Sequence, residues 1–198
     1  MKRRALLAAS AASLTSLTGC LGTVRRRVSG RIDMDHATTV FHPADEPWFV
    51  GGLSAASRGT AHTDLFTESP ADVDDLFTDH YPKREQSMDN DVRNDDYSNG
   101  FLLLFEAKMP VEEAYSVQPT ILHGELAWTG WDTVSVPTVR SPRDPESLSF
   151  DDDVEAIIAT TLTRYEAEAT PSTAVVTVYD EETGDRIGRH TATPRRRS

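Results

Sequence analysis

Cysteine is all but missing from this chain: Cys20 is the only one among 198 residues. No intrachain disulfide can form, although an exported domain could have used one. Lysine is nearly as scarce, three residues against seventeen arginines. Long apolar runs are missing too. A membrane-spanning helix needs about 20 apolar residues. The stretch Ala5 to Leu17 is only thirteen residues long and is diluted by Ser10, Ser13, Thr15 and Ser16. Positive charge is sparse in the body. Between Ile32 and Pro194 ten basic residues meet 32 acidic ones, a formal charge of −22, and the other ten bases lie toward the two ends. Such a body repels nucleic acid and anionic surfaces at low salt, so no nucleic-acid partner is expected.

Signatures of chemistry are equally thin. Gly51-Gly52 is not followed by Gly-Lys-Ser/Thr, so no phosphate loop forms there. Gly52-Leu53-Ser54-Ala55-Ala56 lacks the second glycine of a nucleophile elbow. The histidines are His36, His42, His62, His80, His123 and His190, and no pair has the i, i+4 spacing of a helical zinc site. Asp95, Asn99, Gly100 and Glu106 fit positions of a calcium loop, but Tyr97 stands where a carboxylate is needed. A solvated acidic loop is the plainer reading. The sequence assigns no catalytic residue, metal or cofactor.

What the chain does have begins at its first residue. Met1-Lys2-Arg3-Arg4, the small-and-apolar stretch and a small-residue end make the three parts of an export signal. Arg3-Arg4-Ala5-Leu6-Leu7 resembles the twin-arginine motif, with Lys2 in place of the usual Ser or Thr. Ordinary secretion is the alternative route. Leu17-Thr18-Gly19-Cys20 resembles the lipobox of exported lipoproteins. In that family the chain is cut before the cysteine and the thiol carries a glyceryl lipid. A cysteine used in this way is not free to serve as a blue-copper ligand. Each buried methylene adds about 0.8 kcal/mol, so two chains hold a protein on a membrane. An acidic, lysine-poor body behind such a leader resembles the exported lipoproteins of haloarchaea. That resemblance implies an address and a high-salt habitat, but no activity. Residues 1–19 then read as signal peptide, 20–32 as a lipidated flexible tether, 33–194 as one β-rich domain outside the cell, and 195–198 as a basic tail.

Within the body, Phe101 to Phe105 is an unbroken apolar run, which predicts a strand buried on both faces. Ala174 to Tyr179 and Arg186 to Thr193 flank Gly184 as a hairpin. Val154 to Glu166 is rich in β-branched residues and predicts a long strand; a helix over 151–169 is the competing reading. Short strands are expected at Trp48 to Val50, Ala61 to Phe66, Ile121 to Thr129 and Thr133 to Val139. Ser69-Pro70-Ala71-Asp72 predicts the start of a short helix running to Asp79, and Pro110 to Tyr115 a helical turn. Lys83 to Gly100 reads as a polar loop. The pattern predicts a mainly β protein, a single β-sandwich with one short helix, with an immunoglobulin-like domain as first guess.

Two functional readings follow. The first is a non-enzymatic binding domain, held on the outer face of the cell membrane by the lipid on Cys20, whose partner is an envelope protein or a glycan. The alternative is a small secreted enzyme or solute-binding lipoprotein. Its cleft would form where the Lys83 to Gly100 loop meets the turn from Trp128 to Trp131. Trp48, Trp128 and Trp131 read as core residues; exposed, they would instead offer a sugar or partner surface.

Overall fold

The structure is a computed structural model that describes residues 30–82, 88–120, 126–129, 132–151 and 153–195. The expected export signal with Arg3 and Arg4, the expected lipid site Cys20, and Lys83, His123 and Trp131 lie outside the described residues.

The described residues form two facing sheets. In the first, β1 (Ile32–Pro43), β7 (Ala156–Ala167), β3 (Gly100–Pro110) and β2 (Ala61–Phe66) lie in the order β1-β7-β3-β2, all antiparallel. In the second, β4 (Tyr115–Pro119), β6 (Thr133–Pro142), β8 (Thr173–Asp180) and β9 (Arg186–Ala192) lie in that order, with the two-residue β5 (Ala127–Trp128) beside β6. β6 and β8 run parallel, because the chain crosses to the other sheet as β7 and returns between them. The protein is therefore a β-sandwich. An immunoglobulin domain pairs A-B-E-D with C-F-G in antiparallel sheets; the strand order and the parallel pair here share its architecture but not its connectivity.

Alternation along each strand divides the first sheet into two faces. Phe101, Leu103, Phe105, Val134, Val136, Val176 and Tyr165 fill the space between the sheets. Leu102, Leu104 and Leu162 point the other way and pack against Trp48, Phe49, Leu76 and Val92. The described parts of the chain between β1 and β3, apart from β2 itself, thus cover the outer face of the first sheet as a third layer. This explains why Phe101 to Phe105 carries no polar alternation: both faces of β3 are buried. Each fully buried leucine contributes about 2 kcal/mol.

Several sequence expectations change. Trp48 to Val50 is not a strand; Phe49 makes one isolated bridge to Phe77. The helix expected over 69–79 shrinks to a single turn, Asp74–Leu76, whose preceding Val73 provides no side-chain cap. The chain then extends, so that the Thr78 N–H reaches the Trp48 carbonyl: tertiary pairing overrides local propensity. The short helix instead lies in the expected loop, as α1 (Met88–Asn94). Met88 and Val92, one turn apart, are buried, while Asp89 and Asp91 at its start and Arg93 at its end complement the helix dipole. β1 and β4 arise where no strand was expected. A register shift between Met34 and His36 breaks the alternation of β1. The strand expected over 121–129 is seen as Ala127–Trp128, and 121–125 lie outside the described residues. The run near 154–166 is a strand, β7, and the helical alternative is overturned. The final hairpin forms as expected, with Gly184 at φ +71°. Among the described residues no helix is long and apolar enough to cross a membrane.

Candidate functional site

Strand register gathers the ionisable groups on the covered, outer face of the first sheet. His62 of β2 is opposite Glu106 of β3, and Glu106 is opposite Thr160 of β7. Two residues along β2, Asp64 shares the face of His62. His42 of β1 reaches Thr160 from the other side. The Gly51–Leu53 turn closes over them. The Leu53 N–H donates to Glu106 Oε2 at 2.9 Å. Gly52 is required there, since a Cβ would collide with the same carboxylate oxygen.

Glu106 is fully buried, and burial pushes its carboxyl up to about 6 against the opposing Leu53 hydrogen bond. His42 stacks on Trp48 with ring centroids 4.7 Å apart, and burial lowers it to about 4. It is therefore a neutral imidazole at pH 7. Its Nδ1 lies 3.1 Å from the carbonyls of Pro43 and Glu46, which only accept, so Nδ1 carries the proton. Nε2 then accepts from the Thr160 hydroxyl at 3.1 Å. That hydroxyl has one proton and cannot also serve Glu106 Oε1, 3.5 Å away. Below about pH 6, where Glu106 keeps its proton, the carboxyl completes the chain by donating to Thr160. The network is shut off from solvent: His42, Glu106 and Thr160 are all at most 1 % exposed.

Next to it, His62 Nε2 lies 3.3 Å from Asp64 Oδ2, close enough for charge but not aligned as a hydrogen bond. Asp64 raises His62 against the effect of burial. Burial alone would raise Asp64, but His62 and Arg195 outweigh it and hold the carboxyl low. Arg195 donates to Asp64 at 2.8 Å and to the Val50 carbonyl at 2.6 Å. The first residue of the basic C-terminal end is thus bonded to the domain. Glu106, His62, Asp64 and Arg195 did not stand out as a group in the sequence, where they lie in three separate segments.

At the other end of the same face, Arg164 is 6 % exposed and clasps the turn after α1. It bonds Asp95, the Asn99 side chain at 2.6 Å and the Asp96 carbonyl at 3.2 Å. Asp95, expected in a solvated acidic loop, is the counter-ion of a buried arginine; burial raises its carboxyl despite that partner. Asp95 and Asn99, two of the calcium-loop positions read from the sequence, are thus bonded to a protein cation. Ser54 bonds Ser57 rather than a histidine. His36 sits on β1 beside Asp35 and Asp91, on the far end of the strand from His42. Trp48 and Trp128 are core residues, 8 % and 9 % exposed. α1 packs on the outer face of the first sheet and Trp128 between the sheets, so the described parts of the cleft proposed near 83–100 and 128–131 are separated by the sheet itself.

Fold and site together define a two-sheet β-sandwich whose strongest ionisable cluster is internal. No family model, curated protein or solved structure matches the chain.

Proposed function

We propose that this chain is a lipid-anchored domain on the outer face of the cell membrane and that it works by binding rather than by catalysis. The observation that carries the reading is Leu17-Thr18-Gly19-Cys20, with its single cysteine, at the end of an export leader. The internal use of the ionisable groups supports the second half. Glu106, His42 and Thr160 bond one another and backbone beneath the Gly51–Leu53 turn, where no substrate reaches them.

Eleven residues separate Cys20 from Ile32. At about 3.5 Å each when extended, they keep the sandwich within about 40 Å of the lipid. The start of β1 lies at the end where β7 finishes at Ala167. The opposite end, with Pro43, Pro110 and Pro142, then faces away from the membrane toward a partner in the envelope, either protein or glycan.

The test is the change Cys20→Ser in the native host. The expected result is that the protein leaves the membrane fraction or accumulates with its leader uncut. Unchanged partition together with unchanged mass removes the tether from the proposal.

A further inference from the structure

The two sheets do not close completely at the end away from β1's start. A cavity of about 230 Å³ opens there between β3 of one sheet and β4, β6, β8 and β9 of the other. Its floor is apolar: Phe105, Ala107, Val117 and Val178. Such floors are normal in a sandwich core. The walls are not. Arg140, Tyr115 and His190 all border the cavity, at strand positions where the rest of the inner face carries Val134, Val136, Val176 and Ala174.

The cavity exists because of a missing side chain. Gly188 of β9 is opposite Val178, on the inward parity of that strand. A Cβ there would stand 3.0 Å from His190 Nε2 and 3.7 Å from Val178. Any larger residue would fill the space.

Each polar group is held in place yet retains unused bonding capacity. Arg140 lies over the Tyr115 ring, 5.1 Å from its centroid, and one nitrogen donates to Asp180 Oδ2 at 2.8 Å. Asp180 is itself fixed, because its Oδ1 accepts from the Glu182 and Thr183 N–H groups of the hairpin turn. A guanidinium has five donors in a planar fork, so the carboxylate pair leaves most of them for a ligand. His190 meets the Phe105 ring edge-on at 5.5 Å. Burial lowers its pKa, and no hydrogen bond offsets that effect.

We propose that this mouth binds a small organic carboxylate with a flat apolar body. The body would lie on Phe105 and Val178 in the space left by Gly188, and the carboxylate would accept from Arg140 and His190. A cavity of about 150 Å³ lined by apolar side chains holds benzene, so the volume here admits one substituted ring. A few convergent polar groups above an apolar floor fix orientation in such sites, and a planar guanidinium suits a carboxylate. The inference rests on the reading that the domain binds rather than reacts, and it adds the ligand class.

The test uses the full chain in detergent at high salt, with benzoate as probe and toluene and benzylamine as controls. Benzoate is expected to shift the Val178 methyl and His190 ring resonances and to raise the Tm in proportion to its concentration. Arg140→Gln should weaken binding about tenfold, the value of one charge-assisted hydrogen bond, and Gly188→Leu should abolish it. The wild-type resonance shifts stand even if Gly188→Leu fails to fold. Equal binding of toluene and benzoate would overturn the carboxylate assignment, preference for benzylamine would reverse it, and absence of all three responses would remove the site. A protein that leaves the membrane on Cys20→Ser but ignores benzoate keeps its tether and loses this site. One that binds benzoate but is indifferent to Cys20→Ser does the reverse.

Discussion

Replacing Glu106 by Gln should make the protein more stable at neutral pH, and the gain should vanish in acid. Glu106 holds its proton to about pH 6, against 4.5 for an ordinary glutamate, because it is buried. Between these values the folded state binds more protons than the unfolded chain, so stability falls as pH rises through the window. At 1.36 kcal/mol per pH unit, ionising Glu106 in the fold costs about 2 kcal/mol by pH 7. Gln has the same shape, still accepts from the Leu53 N–H and never ionises. His42 acts in the opposite sense. Burial lowers it from 6.5 to about 4, so the unfolded chain binds the extra proton and stability rises with pH across that range, by about 3 kcal/mol. In the wild type the two effects largely offset. Glu106→Gln removes one of them and should expose a steep rise in stability from pH 4 to 6.5. The assay is denaturant unfolding of both proteins at half-unit pH steps in constant high salt. The variant should match the wild type near pH 4.5 and exceed it by about 2 kcal/mol at pH 7. A difference that is the same at every pH would refute the reasoning, since it would mean that Glu106 ionises as readily in the fold as out of it.

Other consequences are as direct. Gly52→Ala forces a methyl against the Glu106 carboxylate and should cost about 1–3 kcal/mol; combined with Glu106→Ala the cost should shrink, which a double-mutant cycle reads. Arg164→Met strands Asp95 without its cation and should cost about 3–5 kcal/mol in denaturant unfolding. Adding Asp95→Asn should restore much of that loss, and no restoration would mean that the pair is not coupled. The body's charge of −22 should make the Tm rise steeply with KCl, as the screening length falls from about 10 Å at 0.1 M to about 3 Å at 1 M; a flat Tm would refute the role of self-repulsion.

The parts of the fold legible in the sequence are those set by near neighbours. Phe101 to Phe105 announced a strand covered on both sides, and it is. Gly184 between two alternating runs announced the last hairpin, because only a turn with positive φ fits there. The β-branched run of β7 was legible for the same local reason. Where the signal failed, distant contacts had taken over. β1 was hidden by its register shift and by the polar residues of an edge strand. α1 is too short to be stable alone and exists because Met88 and Val92 find Leu102, Leu104 and Leu162. The turn over 74–76 lost its helix to a pairing with Trp48 and Phe49.

The same division applies to the chemistry. The leader, the lone Cys20 and the acidic, lysine-poor body are properties of composition and order, and they motivate the proposed address without any folding. Glu106 reads along the chain as the polar end of an apolar strand, His42 and His62 as scattered imidazoles, and Gly188 as one glycine in a hairpin. Their meaning comes from register and from which surface covers them. A carboxyl holds its proton only once a turn from fifty residues upstream excludes water from it, and a glycine makes a cavity only once a second sheet stands opposite.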